Sequence, residues 1–345
     1  MRALLVTVAC AALLTAGPTA QTADRLFRQF SDAVLAYQRG DVETAASRLS
    51  GWSRRDMEHV IPILIKTRER PLLEAAAMLH TELAIRGTAG DAPTVTLHLR
   101  LAEALAQAIP AEQASSDFRR HWYAVAASTL LARVGPAPAR RFVDEGLGQF
   151  AKDAPLHLLS GIIHETLAHL EDPECSGPGC ESRGPSSGVP LRLARAEAEY
   201  RRALELDARL ADARVRLGRV LFLQNRGDRG RDELSAVVRQ SADDRTTYLA
   251  HLFLGALAVF ERDQAAARSE YEAARSLGRA HQTPYVALGF AEQMTGAVAR
   301  ARQTIADMAA RPATSITDPW LDYLNGSGSS AGEASLRWLR QRVQQ

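Results

Sequence analysis

The sequence predicts an all-α protein whose helical hairpins stack into a right-handed αα-hairpin solenoid. A Leu-Gly pair recurs in the second half of the chain, at Leu217-Gly218, Leu254-Gly255 and Leu288-Gly289. The glycines stand 37 and then 34 residues apart, and a period of this length is typical of stacked helical repeats. The composition agrees, because 46% of the residues are hydrophobic and only 6% are aromatic, and no alternating β-branched run precedes a hairpin turn.

A second pattern follows each Leu-Gly pair at a constant distance. Twelve residues after each glycine stands a small residue, then a larger one four positions later and a small or medium one three positions after that. The complete sets are Gly230, Leu234 and Val237, then Ala267, Tyr271 and Ala274, then Ala301, Ile305 and Met308, and a partial set is Ala196, Tyr200 and Ala203. Small residues where two helices cross let the backbones approach closely, and the larger residue fills the space beside them.

These motifs resemble the tetratricopeptide repeat (TPR) family, whose signature joins a Leu-Gly pair in a first helix to a small-x3-aromatic-x2-small pattern in a second helix. The resemblance covers the TPR repeats expected at residues 191–310, and it departs from the family at Leu221, Ala258 and Glu292, where an aromatic residue is usual. It implies a TPR-like superhelix that displays a binding surface. The chain thus resembles TPR proteins of the exported bacterial type.

The first residues of the chain predict a secretory signal peptide. Arg2 precedes an apolar stretch at residues 3–16, and a segment of small residues follows, which is the three-part pattern of an export signal. The apolar stretch is too short to span a bilayer comfortably. We expect the signal peptide at residues 1–20, with cleavage near Ala20 or Ala23.

A lipid anchor at Cys10 is the alternative to simple cleavage. Thr7 stands where a sequence resembling the bacterial lipobox would carry Leu, so we favour cleavage. Because no later segment offers about 18 uncharged apolar residues in a row, we expect an exported, soluble protein in the bacterial periplasm or outside the cell.

Residues 24–170 keep the helical period without the repeat motif. The pattern Tyr37-x2-Gly40-Asp41 resembles the turn inside a TPR unit and predicts a first helical hairpin around it. Further helices are predicted at about 56–68, 71–86, 94–109, 115–134, 137–150 and 155–170, between Pro and Gly residues that interrupt helices. We interpret this half as degenerate TPR-like hairpins, with a separate helical domain as the alternative.

Residues 171–190 predict an irregular insertion rich in Gly, Pro and Ser. The insertion holds Cys175 and Cys180, the two cysteines that remain after removal of the signal peptide. In an oxidising compartment we expect an intraloop disulfide between them, and two free thiols are the alternative. A zinc site would need two further ligands, and because His164 and His169 lie across a helix end, no metal is predicted.

Residues 311–345 predict a C-terminal capping segment followed by a helix. One face of that helix is apolar and carries Leu336, Leu339 and Val343. The other faces carry Arg337, Arg340 and Arg342. A solenoid needs a terminal cap with a polar outer face, and contact of this basic helix with a membrane surface is the alternative.

The sequence carries no recognisable catalytic motif. His164 and His169 superficially resemble a zinc-protease helix, but their spacing of five places them about 500° apart around a helix. A Gly-rich phosphate loop, a Gly-x-Ser-x-Gly elbow and a haem-attachment motif are missing. We therefore expect no enzyme activity and no cofactor, and the alternative is an enzyme or accessory subunit with a site around His121, Trp122 and His164.

The charge pattern does not favour nucleic acid as a partner. The formal net charge is +2, and arginines alternate with acidic residues between positions 226 and 233. Such interspersed charges are typical of a solvated turn rather than of a phosphate-binding track. We expect a protein or peptide ligand and no nucleic acid.

The resemblance also implies where such a ligand would bind, because the first helices of TPR hairpins line a concave groove. Repeat alignment places these residues in that groove: Val215, Arg219, Phe222, Leu252, Ala256, Val259, Val286, Phe290 and Gln293. The Lys and Asn clamp of chaperone-binding members is not matched here. A mostly apolar groove suits an amphipathic helix or the chain's own C-terminal helix. The sequence therefore predicts a scaffold that binds another protein, with an envelope or secretion-associated assembly as its setting.

Overall fold

The computed structural model describes residues 18–87, 91–110, 113–171, 188–240, 243–311 and 317–344. Within these ranges the regular structure consists of seventeen α-helices without a strand, arranged in consecutive pairs. The prediction of an all-α protein of helical hairpins is confirmed. The predicted signal peptide lies mostly outside the described residues, and Cys175 and Cys180 lie wholly outside them.

The chain forms two compact units. The N-terminal unit comprises Met1–Val134 together with Gly332–Gln345, and the repeat unit comprises Gly135–Ala331. The C-terminal segment predicted at 311–345 is therefore divided, because its final helix belongs to the N-terminal unit and the residues before it belong to the repeat unit. This division follows no composition change in the sequence.

The N-terminal unit contains seven helices in its described part. They are α1 (Pro18–Gln38), α2 (Val42–Leu49), α3 (Arg54–Thr67), α4 (Arg70–Arg86), α5 (Ala92–Ala108), α6 (Gln113–Arg133) and, at the end of the chain, α17 (Ser330–Gln344). Helices α1 and α2 form one hairpin, and α4 and α5 form another. The first turns of α1 include Ala20 and Ala23, so cleavage at either residue would shorten this helix while leaving its buried residues from Leu26 onward intact.

The repeat unit contains ten helices in its described part. They are α7 (Pro136–Gln149), α8 (Ala154–Glu171), α9 (Gly188–Leu206), α10 (Ala211–Leu223), α11 (Gly227–Gln240), α12 (Asp244–Phe260), α13 (Gln264–Leu277), α14 (Thr283–Met294), α15 (Val298–Ala309) and α16 (Pro319–Leu324). Four hairpins follow one another, α8 with α9, α10 with α11, α12 with α13 and α14 with α15. We call α8, α10, α12 and α14 the first helices, and each packs against the next first helix along the chain.

The repeated glycines are the contact points of the hairpins. A Cβ atom on Gly218 would lie 2.6 Å from Leu234, and one on Gly255 would lie 2.4 Å from the Tyr271 ring. Such distances are far below van der Waals contact, so only glycine fits between the paired helices. Gly161 of α8 meets Tyr200 of α9 in the same way, at 2.4 Å.

Gly161 is therefore the repeat glycine that belongs to the partial set Ala196, Tyr200 and Ala203. It stands 35 residues before Ala196 instead of 12, because the predicted insertion separates the two helices of this one hairpin. The residues that join α8 to α9 thus stand at the sequence position where the other hairpins have their tight turn. Those turns share a left-handed residue seven positions after the repeat glycine, at Asn225 (φ 60), Arg262 (φ 63) and Gly296 (φ 77).

The hairpin of α1 and α2 follows the same rule. Gly40 has φ 83, and the residue seven positions before it, Ala33, is fully buried, as is Ala45 at the small position of α2. Asp41 caps α2 by accepting a hydrogen bond from the Thr44 N–H. This geometry agrees with the TPR-like turn predicted around Gly40.

Helix α17 packs into the N-terminal unit through its apolar face and through two ion pairs. Leu339 and Val343 are buried. The Arg340 guanidinium donates two hydrogen bonds to Glu82, at 2.6 and 2.9 Å, and Arg342 donates two to Glu74, at 3.0 and 2.6 Å. Both carboxylates are buried in α4. Arg340 and Arg342 are thus engaged inside the protein, which leaves the membrane-surface alternative only Arg337 among the three arginines of this helix.

Candidate partner-binding surface

Large apolar side chains reach solvent in only one of the two units, as far as the chain is described. They are Leu170, Leu191, Leu223, Phe260, Leu277, Val286, Phe290, Met294, Val298, Ile305 and Leu321, and all of them belong to the repeat unit. Single exposed apolar residues are common on protein surfaces. A recurring position within a repeat is a different observation, because stacked hairpins place equivalent positions in a row.

Three of these residues occupy one recurring position. Leu223, Phe260 and Met294 each stand five residues after a repeat glycine, and each is the last residue of a first helix. They are 43%, 69% and 64% exposed. We call this row the apolar ladder.

Neighbouring side chains widen the ladder. The half-buried Phe222 ring meets the Phe260 ring edge to face, with centroids 5.6 Å apart. Val286 and Phe290 stand eight and four residues before Met294, so the three share one face of α14, and both are exposed. The ladder is therefore the edge of a larger apolar surface at the ends of the first helices.

The residues predicted to line the groove divide into three groups. Val215 and Leu252 are core residues. The half-buried group consists of Phe222, Ala256 and Val259. The exposed group consists of Val286, Phe290 and Gln293. At the position three residues before each repeat glycine, exposure rises from 0% at Val215 and 4% at Leu252 to 52% at Val286, because α14 belongs to the last of the four hairpins.

The remaining predicted groove residue, Arg219, belongs to a buried polar cluster around Glu165 of α8. The Glu165 carboxylate accepts hydrogen bonds from Arg219 at 2.7 Å, Arg216 at 3.3 Å and the Tyr200 hydroxyl at 2.6 Å. Arg216 also donates to Asp212 at 3.0 Å. Burial acts to raise the pKa of the Glu165 carboxyl, but the two arginines and the hydroxyl donors outweigh burial and lower it.

The chain itself occupies the face that the first helices line. Residues 318–330, which include α16 and which we call the inner strap, bring Tyr323 over Arg216, with 4.2 Å between the guanidinium carbon and the ring centroid. The Tyr323 hydroxyl donates to Glu165 at 2.5 Å. The rings of Tyr323 and Trp320 lie 5.0 and 5.5 Å from the Phe253 ring of α12.

Asp318 fixes the start of the inner strap. Its carboxylate accepts hydrogen bonds from the Tyr248 hydroxyl at 2.9 Å, from the Thr283 N–H at 3.1 Å and from the Trp320 N–H at 3.0 Å. Burial acts to raise the pKa of Asp318, but these hydrogen bonds lower it below its ordinary value. At the other end, the Ser330 N–H donates to Asp212 at 3.3 Å.

A cleft of about 550 Å³ opens between α8, α9 and α10, beside the first rung of the ladder. Its polar lining includes Glu165, His169 and Arg219, and its apolar lining includes Leu193 and Leu223. Residues 172–187, which join α8 to α9, lie outside the described part of the chain.

The residues of the predicted alternative enzyme site belong to separate units. Trp122 is fully buried in the N-terminal unit, and its indole N–H donates to the Thr81 hydroxyl at 3.0 Å. His121 stacks on Trp338, with ring centroids 4.3 Å apart, while His164 lies on α8 of the repeat unit. Among the described residues, no group of three or more His, Cys, Asp or Glu is arranged to hold a metal ion.

Two features of the repeat unit were not predicted from the sequence, namely the apolar ladder and the contact between Tyr323 and Glu165. The ladder could have been found from the repeat register, because its three residues are as regularly spaced as the glycines. Tyr323 and Glu165 stand 158 residues apart, and no local pattern joins them. The helices of the described chain include none that is both long and apolar enough to cross a membrane.

Comparison with known proteins gives structural likenesses only. No protein-family model matches the sequence, and no curated protein sequence matches it. A solved structure from the functional characterization of Pseudomonas aeruginosa pilF is 18% identical, with 58% of this chain and 79% of that chain covered and a TM-score of 0.46. A structure of the human IFIT1 dimer with PPP-AAAA is 11% identical, with 83% and 78% covered and a TM-score of 0.40. Both are TPR-like helical-repeat proteins, and identities this low concern the fold alone.

Proposed function

We propose that this protein is a non-enzymatic scaffold that binds another protein through the apolar ladder and the adjoining face of α14. The observation that carries the proposal is the exposure of a large apolar side chain at the same repeat position in three successive hairpins. Burying one such side chain in an interface contributes about 1.5–3 kcal/mol. Because the three rungs are already partly buried, each contributes less than this full value, and the adjoining Val286 and Phe290 of α14 add to the apolar area that a partner can bury.

The partner that fits the ladder best is an amphipathic α-helix. Packed helices lie about 8–10 Å apart, and two turns of an α-helix rise about 11 Å. A helix with an apolar residue at every seventh position would therefore place one residue against each rung. The proposed heptad spacing of the ligand thus rests on the general packing distance of neighbouring helices.

A helical peptide library displayed on phage tests this proposal, with apolar residues held at positions 1, 8 and 15. We expect selection on the wild-type protein to enrich binders whose affinity falls at least tenfold for the double variant Phe260→Asp with Met294→Asp. Leu277→Asp is the matched control, because Leu277 is an exposed apolar residue at the end of a second helix. Equal binding to the double variant and to the wild type, with unchanged circular dichroism, contradicts the ladder as the binding surface.

We also propose that the protein lies outside the cytoplasm and that it does not bind nucleic acid. The signal-peptide pattern at residues 1–20 supports export, and mass spectrometry of the mature N-terminus tests it, since recovery of intact Met1 would refute cleavage. In the same compartment we propose the bond between Cys175 and Cys180, and ready thiol labelling of both without a reductant would exclude it. Single-stranded DNA and RNA oligonucleotides are expected to show no saturable binding in fluorescence anisotropy.

A further inference from the structure

We propose that the face lined by the first helices of the repeat unit is a second binding site, for a peptide of the pattern Asp-x-Trp-x-x-Tyr, and that the inner strap is its built-in occupant. This site lies on the first helices at Glu165, Arg216 and Phe253, and it adjoins the first rung of the ladder, because Glu165 and Leu223 line the same cleft. It does not depend on the function proposed above. The strap holds the site closed until a segment of the same chemistry displaces it.

The site recognises an aromatic residue by its face. Two guanidinium carbons, those of Arg216 and Arg219, lie 4.2 and 5.3 Å from the centroid of the Tyr323 ring. Arginine over an aromatic face is a favourable cation–π arrangement, and it is stronger where water is excluded. Phe253 packs against Tyr323 and Trp320 with centroid distances of 5.0 and 5.5 Å, so the site selects two aromatic residues three positions apart.

The site also recognises a carboxylate at a fixed distance from these rings. The Asp318 side chain meets the Tyr248 hydroxyl and the Thr283 N–H, which lies at the start of α14. A helix N-terminus favours negative charge, and both donors belong to the body of the repeat unit. A free peptide with aspartate in this position would find the same two donors.

The site keeps its charges paired when the strap leaves. Glu165 retains Arg216, Arg219 and Tyr200, and Arg216 retains Asp212. Loss of the Tyr323 hydroxyl therefore leaves no isolated buried charge, which would otherwise make opening prohibitive. The charged groups of the site therefore stay paired without the strap, while Tyr323 and Trp320 contribute to the hydrophobic core of the repeat unit when the strap is bound.

The strap is held by side-chain contacts, among them those of Asp318 with Tyr248, of Tyr323 with Glu165 and of the Arg245 guanidinium with the Gly328 carbonyl. Its helix α16 has six residues, too few to be stable in isolation. Gly326 and Gly328 have φ 68 and 64, and ordering glycine costs more conformational entropy than ordering any other residue. Segments with these properties open locally more easily than packed helices do.

A fluorescein-labelled peptide with the sequence of residues 317–326 is the probe for this site. Because the tethered strap competes at an effective concentration on the order of mM, we expect weak binding to the wild-type protein. The triple variant Asp318→Ala, Trp320→Ala and Tyr323→Ala should bind the peptide at least tenfold more tightly in fluorescence anisotropy. Leu321→Ala is the matched control in the strap, since Leu321 is exposed, and it should behave as the wild type does.

Two further controls make the outcome specific. A peptide with its own Asp, Trp and Tyr replaced by Ala should not bind the triple variant, and Phe260→Asp should leave peptide binding unchanged, which separates this site from the ladder. A triple variant that has native circular dichroism and no gain in affinity overturns the proposal.

A second measurement, on the protein without these substitutions, tests the proposal if the triple variant fails to fold. Trp320 is the only tryptophan of the repeat unit, since Trp52, Trp122 and Trp338 belong to the N-terminal unit. In protein labelled with 5-fluorotryptophan, millimolar peptide should shift the Trp320 fluorine resonance toward that of solvent-exposed tryptophan and leave the other three in place. An unshifted Trp320 resonance overturns the proposal.

Discussion

The N-terminal unit and the repeat unit are built from similar hairpins, yet they treat apolar surface differently. Among the described residues, every exposed large apolar side chain belongs to the repeat unit. In the N-terminal unit, eleven consecutive residues of α4, from Leu72 to Glu82, are all buried. In the repeat unit the longest such run among the described residues is nine, from Leu158 to Thr166 of α8, so both units bury a helix on all sides and differ in the large apolar side chains that they expose.

The two units also differ in the C-terminal segment that each contains. Helix α17 adds its apolar face and two arginines to the N-terminal unit, where they meet the α4 carboxylates Glu74 and Glu82. The repeat unit contains the inner strap, whose helix has six residues.

The two units also differ in where their buried charged side chains lie, either in the hairpins or in the C-terminal segment that packs against them. In the N-terminal unit Glu74 and Glu82 lie in α4 and their bidentate arginines lie in α17, so removing these arginines leaves Glu74 with Arg70 at 3.9 Å and Glu82 with the Tyr37 hydroxyl at 3.4 Å. In the repeat unit both Glu165 and its arginines belong to the body. The largest expected effect therefore lies in the N-terminal unit.

The double variant Arg340→Ala with Arg342→Ala should lower the free energy of unfolding of the N-terminal unit by about 3 kcal/mol, because it leaves Glu82 and Glu74 buried without their bidentate partners. Urea unfolding followed by tryptophan emission measures this, since three of the four tryptophans lie in that unit. Arg337→Ala, at an exposed position on the same helix, should change stability by no more than about 0.5 kcal/mol. Equal effects of the two changes would refute the role of the ion pairs.

Gly255→Ala tests the close helix contact of the repeat unit. Its Cβ would lie 2.4 Å from the Tyr271 ring, and we expect a loss of about 2 kcal/mol from overpacking. Gly148→Ala in α7 is the matched control, because nothing lies within 4 Å of its Cβ, and it should be neutral or stabilising by up to about 1 kcal/mol. Thermal unfolding by circular dichroism distinguishes the two, and a neutral Gly255→Ala would show that the repeat contact is not tight.

Tyr323→Phe should have a smaller effect, because it removes one of four hydrogen-bond donors to Glu165 and leaves both arginines in place. We expect the free energy of unfolding to fall by about 1 kcal/mol, as measured by urea unfolding under the same conditions. A loss as large as that of the double arginine variant would contradict the difference in charge placement between the units.

The smallest expected effect is the change in the free energy of unfolding with pH. Burial and the neighbouring His98 lower the pKa of His80 in the N-terminal unit from 6.5 to about 3, so below pH 6.5 the unfolded chain binds a proton that the folded chain does not. Stability should fall by about 1 kcal/mol between pH 6 and pH 5 from this residue alone. In the repeat unit the Glu199 hydrogen bond raises the pKa of His157, so its contribution is present at low pH and is lost as the pH rises through that raised value.

Urea midpoints between pH 5 and pH 8 measure both histidines. His157→Gln should remove the gain at low pH and leave the fall caused by His80 in place. An identical pH profile for this variant and the wild type would argue against a protonated His157 paired with Glu199.

Much of the local structure could be predicted because it depends on neighbours in sequence. All six helices predicted between residues 56 and 170 begin and end within two residues of their observed bounds, since Pro and Gly stand at most of these boundaries. The repeat glycines lie inside helices and could be identified from their regular spacing instead. The glycine of the α8 hairpin was missed because the insertion moves its partner Tyr200 beyond the repeat spacing.

Sequence alone determined the helices, the hairpin turns and the repeat register, and with the register it already contained the positions of Leu223, Phe260 and Met294. Only the tertiary structure decided that α17 closes the N-terminal unit and that Tyr323 covers Arg216. The physical reason is that helix formation and hairpin packing are governed by contacts a few residues to one repeat apart. The destination of the C-terminal segments depends on buried carboxylates and guanidinium groups that the fold assembles from distant parts of the chain, and such pairing leaves no period in the sequence.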